Sequence, residues 1–415
     1  MSTVTNLTEN TGSWFRRAIR GEITPNLILV QSGSLTAINL AQTTECSFSS
    51  IDSMKIPRLP ILLGSILRRA LPNVAIVSTS IGIAVTSCVH SGPHPNGGLW
   101  NDRTPVDPDI PSVPGVDGRS VNVEHHFNVF NGQTIHYVTA GPIDGKSVVL
   151  LHGFPELWYM WRYQIEALAN GGYRVFAPDL RGYNLSSKPD GTENYTIANV
   201  ATDIVDMIRH VSPSKKVAIV GHDWGGSAAF RIAYDHIDLI DKLFILNIPH
   251  PNQIKDVMRD PLGHLQEAVG MLYIGAFAPK GQPEFIFKDL LGFKESFDLF
   301  IYQPMVHKEN VTELDRELIY RSWSREGALT AASNYYRVND NFPNTFPNTA
   351  LPASLPVILI FGMKDIFMSP SYVERIDSCN VCAENLTVYR VEDASHFVQN
   401  DVPQKVNAIL LKHLP

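Results

Sequence analysis

The alternation of apolar and polar positions changes character along this chain. Through the first hundred or so residues, Ser, Thr, Asn and Pro are mixed with isolated apolar stretches, and no helical or strand period is sustained. Ser91–Gly115 carries many Pro and Gly residues and reads as a linker. From near Ser120 the pattern becomes regular. Val121, Glu124, His126 and Asn128 begin an extended segment. It meets Thr134–Thr139 across Asn131-Gly132, two residues that tolerate φ > 0 and so signal a tight hairpin. Short apolar runs follow at Val148–Leu151, Tyr173–Ala177, Lys216–Val220, Leu243–Leu246, Val357–Phe361 and Leu386–Val391. Between and after them, Tyr159–Leu168, Val200–Ile208 and about Val402–Lys412 have helical spacing. Strands alternating with helices predict an α/β domain with a mostly parallel sheet flanked by helices.

One interval breaks the alternation. Pro249 to Asn348 contains helical pattern, many aromatics and no convincing buried strand, and the Pro-rich return from Phe342 to Pro356 leads back to the core. An insertion of that size between two core strands predicts a helical lid over the active edge of the sheet. The expected organisation is a leader and linker over 1–115 and a domain over 116–415. The core of that domain comprises 116–249 and 349–415, and the lid about 250–348.

The leader is expected to be poorly ordered or to serve targeting. Asn73–Val89 has no charge and follows Arg68 and Arg69, but Ser and Thr dilute it, and it falls short of the ~20 apolar residues a membrane span needs. Read from Met54, the segment has the basic start and apolar run of a signal or anchor sequence. The sequence therefore fits a cytoplasmic protein or one associated with a membrane through residues 73–89. The composition of the whole chain is ordinary for a globular protein, with 44% hydrophobic and 18% charged residues. A net charge of −7 leaves no excess of Lys and Arg for phosphates, which argues against nucleic acid as a partner. Four cysteines cannot staple a domain of this size. Cys379 and Cys382 have CxxC spacing without thioredoxin-like context, and read as two thiols near a helix end. No second Cys/His pair at ligand spacing accompanies them, so no metal site is expected.

Ligands of open α/β sheets bind outside the carboxyl ends of the strands, so the residues after each strand carry the candidate chemistry. After Lys216–Val220 comes Gly221-His222-Asp223-Trp224-Gly225-Gly226 and then an Ala-rich helix. Small residues flanking Asp223 at a strand-to-helix turn mark it as a nucleophile, because the sharp turn crowds the backbone. The helix that follows would point its N–H groups at the site and favour an ionised carboxylate. After Val148–Leu151 comes His152-Gly153-Phe154-Pro155, which would let the N–H groups of Phe154 and Trp224 converge on one oxyanion. Asp365 follows Val357–Phe361, and His396 follows Leu386–Val391. The order nucleophile, acid, histidine is that of α/β-hydrolases. The substrate pocket is expected to involve His152, Pro155, Trp224 and Phe397.

The segments His152–Glu156, Asp179–Tyr183, Gly221–Gly226, Asn247–Asn252 and Ala394–Phe397 together resemble the α/β-hydrolase-fold epoxide hydrolases, from roughly Val121 to the end of the chain. Asn184 departs from the family, which usually has Gly after Arg-Gly-Tyr; Asn is the next residue most tolerant of φ > 0. The resemblance implies an oxygen-activating tyrosine before the Arg of Asn334-Tyr335-Tyr336-Arg337, hence Tyr336. It implies a second near the start of the lid, best matched by Tyr273, with Tyr302 as a substitute. The implied reaction opens an apolar epoxide with water to a vicinal diol, through an ester on Asp223, and needs no metal or organic cofactor. An Asp nucleophile also suits haloalkane dehalogenation, in which Trp224 would bind halide, and a non-catalytic binder of apolar ligands is the third reading. Asn194, Asn310 and Asn385 begin glycosylation sequons, which matter only for a chain that enters the secretory route.

Overall fold

The computed structural model describes residues 110–415 except 291, 377, 378, 380, 381 and 415, together with 28–31, 34–37, 74–79 and 82–87. The chain divides into two compact units, 1–103 and 104–415. In the first, Ile28–Gln31 pairs antiparallel with Ser34–Ala37, and Val74–Thr79 with Gly82–Ser87. Residues 74–79 and 82–87 of the segment read as a possible anchor are thus paired strands; the other expectations for 1–109 lie outside the described residues. No helix among the described residues is long and apolar enough to cross a membrane.

The second unit is built on eight strands: β1 (Glu124–Phe130), β2 (Gln133–Ala140), β3 (Ser147–Leu151), β4 (Arg174–Pro178), β5 (Val217–His222), β6 (Ile240–Leu246), β7 (Val357–Gly362) and β8 (Leu386–Val391). They lie in the order β8-β7-β6-β5-β3-β4-β2-β1. The neighbours from β4 through β8 are parallel, and β1 and β2 are antiparallel at one edge. This is the expected mostly parallel sheet. Its inner strands are buried on both faces, which is why they read as unbroken apolar runs. The β1–β2 turn has Asn131 at φ 48° and Gly132 at φ 73°, as the Asn-Gly pair predicts.

The longer helices around the sheet are α1 (Arg162–Asn170), α2 (Ile197–Val211), α3 (Asp223–Asp235), α4 (Pro251–Arg259), α5 (Glu313–Ser324), α6 (Ala328–Val338) and α7 (Pro403–His413). Every element between β6 and β7 is helical among the described residues. That insertion leaves the core at α4, where Pro251 occupies the first turn and the His250 ring caps the Asn252 N–H. It folds back onto the loops at the carboxyl ends of the strands: Trp323 Nε1–H donates to Pro155 O at 2.9 Å, and Tyr335 O–H to Arg181 O at 2.7 Å.

A buried ion pair fastens this lid to the core. Arg162 and Asp315 meet at 3.0 Å, and the guanidinium also donates to Asn310 O at 2.8 Å and to Asn400 Oδ1 at 2.9 Å. Arg162→Ala leaves the Asp315 carboxylate buried without its cation, and should cost about 3–5 kcal/mol in urea denaturation. A loss below about 1 kcal/mol would show that water replaces the guanidinium at little cost.

Two expectations are corrected. Ser112–Pro114, assigned to the linker, is a strand paired with Ser120–Asn122, because Val113 is fully buried and Gly118 closes the turn at φ 81°. Cys379 and Cys382 are bonded as a disulfide rather than free thiols near a helix end. A turn closed by Cys382 N–H on Cys379 O brings their Cα atoms to 5.5 Å, within disulfide reach.

Candidate active site

Asp223 stands where β5 turns into α3, with its backbone in the left-handed region at φ 50°. The turn is affordable only because its neighbours are small. A Cβ on Gly225 would lie 2.3 Å from Leu151 O, and one on Gly153 would lie 2.4 Å from Asp223 Cβ. The carboxylate therefore sits close against the loop after β3, and its Oδ1 accepts the Phe154 N–H at 2.8 Å. The first turn of α3 supplies the Trp224 N–H, which has no intrahelical acceptor.

His396, after β8, places Nε2 3.6 Å from Asp223 Oδ2 and Nδ1 2.7 Å from Asp365 Oδ2. Asp365, after β7, is held by the N–H groups of Phe367 (2.8 Å) and Met368 (2.9 Å) on Oδ1, and by Asn247 Nδ2–H (2.8 Å) on Oδ2. The acid is thus clamped before it meets the imidazole, and the Nδ1–H of His396 is fixed toward it. Burial opposes a charge on His396, but the carboxylates of Asp365 and Asp223 outweigh it and push its pKa up to about 10. Burial likewise works to raise the Asp223 carboxyl; the His396 imidazolium and the Phe154 N–H outweigh that and hold it below the ordinary value.

The lid closes this end of the sheet over a narrow cavity. Asp223, His396, Tyr273 and Tyr336 line it, together with Phe154, Pro155, Phe277, Phe300, Phe367 and Phe397. The two tyrosine rings lie 6.2 Å apart at 76°. Burial, reinforced by the nearby Asp223 charge, holds both phenols well above the usual range, so both keep their protons at neutral pH. Tyr302 does not line the cavity; its ring lies under the Arg316 guanidinium, 4.6 Å from the centroid.

Two of the residues expected in the pocket, His152 and Trp224, are not among those that line the cavity. His152 is fully buried, with Nδ1 2.9 Å from Gly153 O and Nε2 accepting the Leu180 N–H at 3.0 Å. Both ring nitrogens are committed to shaping the loop, and none is left to face a ligand. The Trp224 indole packs edge-on against Tyr336, with centroids 5.2 Å apart, and is not among the groups that line the cavity. Pro155 and Phe397 line the cavity.

Several positioning groups escaped the sequence reading. Asn247, at φ 47° after β6, spans Asp365 and the Gly362 N–H (3.1 Å). Its place at a strand's carboxyl end was the same signal that pointed to Asp365. The His222 ring lies between Glu156 Oε2 (2.7 Å) and His396 O (2.9 Å), all buried. Phe367 packs edge-on against both Tyr273 (5.4 Å) and His396 (5.3 Å).

These shifts carry a pH prediction. His396 has its folded pKa raised, so its contribution to stability is fully present below the unfolded value near 6.5, and is lost as pH rises toward about 10. Asp223 has its pKa lowered, so its contribution is present above the ordinary 3.8 and is lost as pH falls further. Between about pH 6.5 and 10 the melting temperature of the wild type should therefore fall more steeply than that of His396→Gln. Parallel curves in a calorimetric pH series would refute the coupling.

Residues 146–402 match the family described as alpha/beta hydrolase fold. The chain is 34% identical over 294 residues to the AB hydrolase superfamily protein YfhM of Bacillus subtilis, covering 70% of this chain and 98% of that protein. It is 34% identical over 284 residues to epoxide hydrolase 3 of Xenopus tropicalis, covering 68% of this chain and 74% of that one. Among solved structures, an epoxide hydrolase from Vigna radiata aligns with a TM-score of 0.60 at 27% identity, covering 70% of this chain and 97% of that one.

Proposed function

Because the chain belongs to the epoxide hydrolases of the α/β-hydrolase fold, we propose that it converts an apolar epoxide to a vicinal diol through an ester on Asp223, with Asp365, His396, Tyr273 and Tyr336 as the other reacting groups. The observation that carries this reading is the cavity itself. It sets a carboxylate and an imidazole among the same lining groups as two protonated phenols, with apolar side chains making up the rest.

Asp223 attacks a ring carbon, forming a C–O ester bond and breaking the ring C–O bond. The departing oxygen takes a proton from Tyr273 or Tyr336. That phenolate is reprotonated by the His396 imidazolium, which loses its reason to stay charged once Asp223 is esterified. Neutral His396, still held by Asp365, then takes a proton from water as the hydroxide adds to the ester carbonyl. The N–H groups of Phe154 and Trp224 stabilise the tetrahedral oxyanion. Collapse breaks the acyl C–O bond, the diol oxygen takes the carboxyl proton, and the resting carboxylate–imidazolium pair returns.

The lid tyrosines favour this reading over carbon–halogen cleavage. A departing alkoxide needs a proton, which two phenols in the wall can give, whereas a departing halide needs N–H donors and the Trp224 indole is not among the groups that line the cavity. The deciding experiment incubates the full chain with an aryl epoxide and, separately, a primary chloroalkane. Diol without chloride release is expected. With enzyme in excess in ¹⁸O-water, the first-formed diol should be unlabelled and the label should enter the Asp223 peptide. Label in the diol from the first turnover would mean direct attack by water.

A further inference from the structure

Five Asn-x-Ser/Thr sequons stand in the chain, beginning at Asn6, Asn184, Asn194, Asn310 and Asn385. Asn6 lies outside the described residues. Asn184 is buried, its Nδ2–H donating to Asp179 Oδ2 at 3.0 Å and its Oδ1 accepting from Arg325 at 2.9 Å. The fold treats the other three differently. Asn310 is tied into the clasp between lid and core: its Nδ2–H donates to Asp401 O at 2.8 Å, and its own carbonyl accepts from Arg162 and Tyr163. Its Thr312 hydroxyl caps α5 by accepting the Asp315 N–H. Asn194 is half-buried, donates to Asp190 O, and offers its carbonyl to Arg181 at 2.7 Å; its Thr196 caps α2. Asn194 and Asn310 are both half-buried, so a sugar on either amide has less room than on an exposed residue. Asn385 and Thr387 are both exposed, and Thr387 caps no helix. The Asn385 amide makes one exposed hydrogen bond, to Ala353 O at 3.1 Å. A glycosylated amide keeps one N–H, so even that bond can persist.

Location and redox chemistry point the same way. Asn385 precedes β8, the edge strand, whose first residue pairs with the first residue of β7. It therefore lies at the end of the sheet opposite His396, roughly 20 Å away for a six-residue strand. A glycan there clears the lid and shields an open strand edge. Three residues upstream the Cys379–Cys382 bridge is closed, and disulfides persist in oxidising compartments, where N-glycosylation also occurs.

We infer that Asn385 is an N-glycosylation site, and that this chain folds in the secretory route carrying one glycan there. In the transfer, the Asn385 amide nitrogen bonds to the anomeric carbon of an oligosaccharide supplied as its lipid diphosphate. The anomeric C–O bond to the diphosphate breaks, the lipid diphosphate leaves, and the amide gives up one proton. The inference is independent of the reaction proposed for the active site.

The test expresses the full chain in a eukaryotic cell, digests it with peptide-N-glycosidase in ¹⁸O-water, and maps converted residues by peptide mass. Conversion at Asn385 and at no other sequon among the described residues is expected, with a gel mobility that changes by one glycan in Asn385→Gln and in Thr387→Ala, and is unchanged in Thr387→Ser. Epoxide turnover of Asn385→Gln should equal that of the wild type. An unmodified Asn385, or a glycan on Asn184, Asn194 or Asn310, would overturn the assignment.

Discussion

His396→Gln should consume about one equivalent of epoxide and then stop. Alkylation needs the Asp223 carboxylate and a proton donor to the departing oxygen, and the cavity retains both in this variant. Ester hydrolysis needs a base beside the ester carbonyl, and Nε2 of His396 is the nitrogen that stands there, 3.6 Å from Asp223 Oδ2. Glutamine fills similar space without a basic nitrogen. Loss of the general base should slow hydrolysis by roughly 10²–10⁴-fold, while alkylation continues. The observable is an intact mass raised by that of one epoxide, with the adduct mapped to the peptide bearing Asp223. The added mass should vanish in Asp223→Ala combined with His396→Gln, which removes the attacking oxygen. Continued turnover by His396→Gln would mean that another group activates water; a folded variant without adduct would mean that His396 is needed for the first step.

The parts of this site that were legible in the sequence are those in which one residue type at one place has a single physical reason. Unbroken apolar runs marked the inner strands because both faces of the sheet are covered. Asn184 was expected to keep the family's turn, and it does so at φ 38°. Asp223, Asp365 and His396 were readable because each follows a predicted strand, and a parallel sheet gathers the carboxyl ends of its strands along one edge. Side-chain direction was not readable in this way. His152 and Phe154 are two residues apart in one loop, yet the first turns inward to hold Leu180 N–H while the second faces the cavity. Trp224 follows the nucleophile directly, but its indole packs against Tyr336 and is absent from the cavity lining. Asn247 and His222 act through contacts that span more than a hundred residues, which no local pattern encodes. The lid was recognisable as helical, but which of its aromatics face the reaction depends on how it folds back. That separates Tyr273, in the wall, from Tyr302, under Arg316.

The combined variant Tyr273→Phe/Tyr336→Phe should fail at the opposite step, losing alkylation rather than hydrolysis. Each phenylalanine keeps the ring packing, including the contacts of Tyr336 with Trp224 and Phe277 and of Tyr273 with Phe367, and removes only the hydroxyl. The epoxide oxygen then leaves as an alkoxide into a cavity whose remaining wall is largely phenylalanine and proline. Either phenol alone can still donate, so each single variant should lose roughly 10²-fold, the low end for one general acid or oxyanion donor. Losing both should cost at least about 10³-fold, or roughly 4 kcal/mol of barrier. Rapid-quench single turnovers locate the effect. The ester should form slowly and never accumulate, because Phe154, Trp224, Asp365 and His396 remain to hydrolyse it. Tyr302→Phe, outside the cavity, should behave as the wild type. If the combined variant instead formed ester at the wild-type rate, the two phenols would be packing groups, and the departing oxygen would have to take its proton from the His396 imidazolium, the other acidic group in the wall.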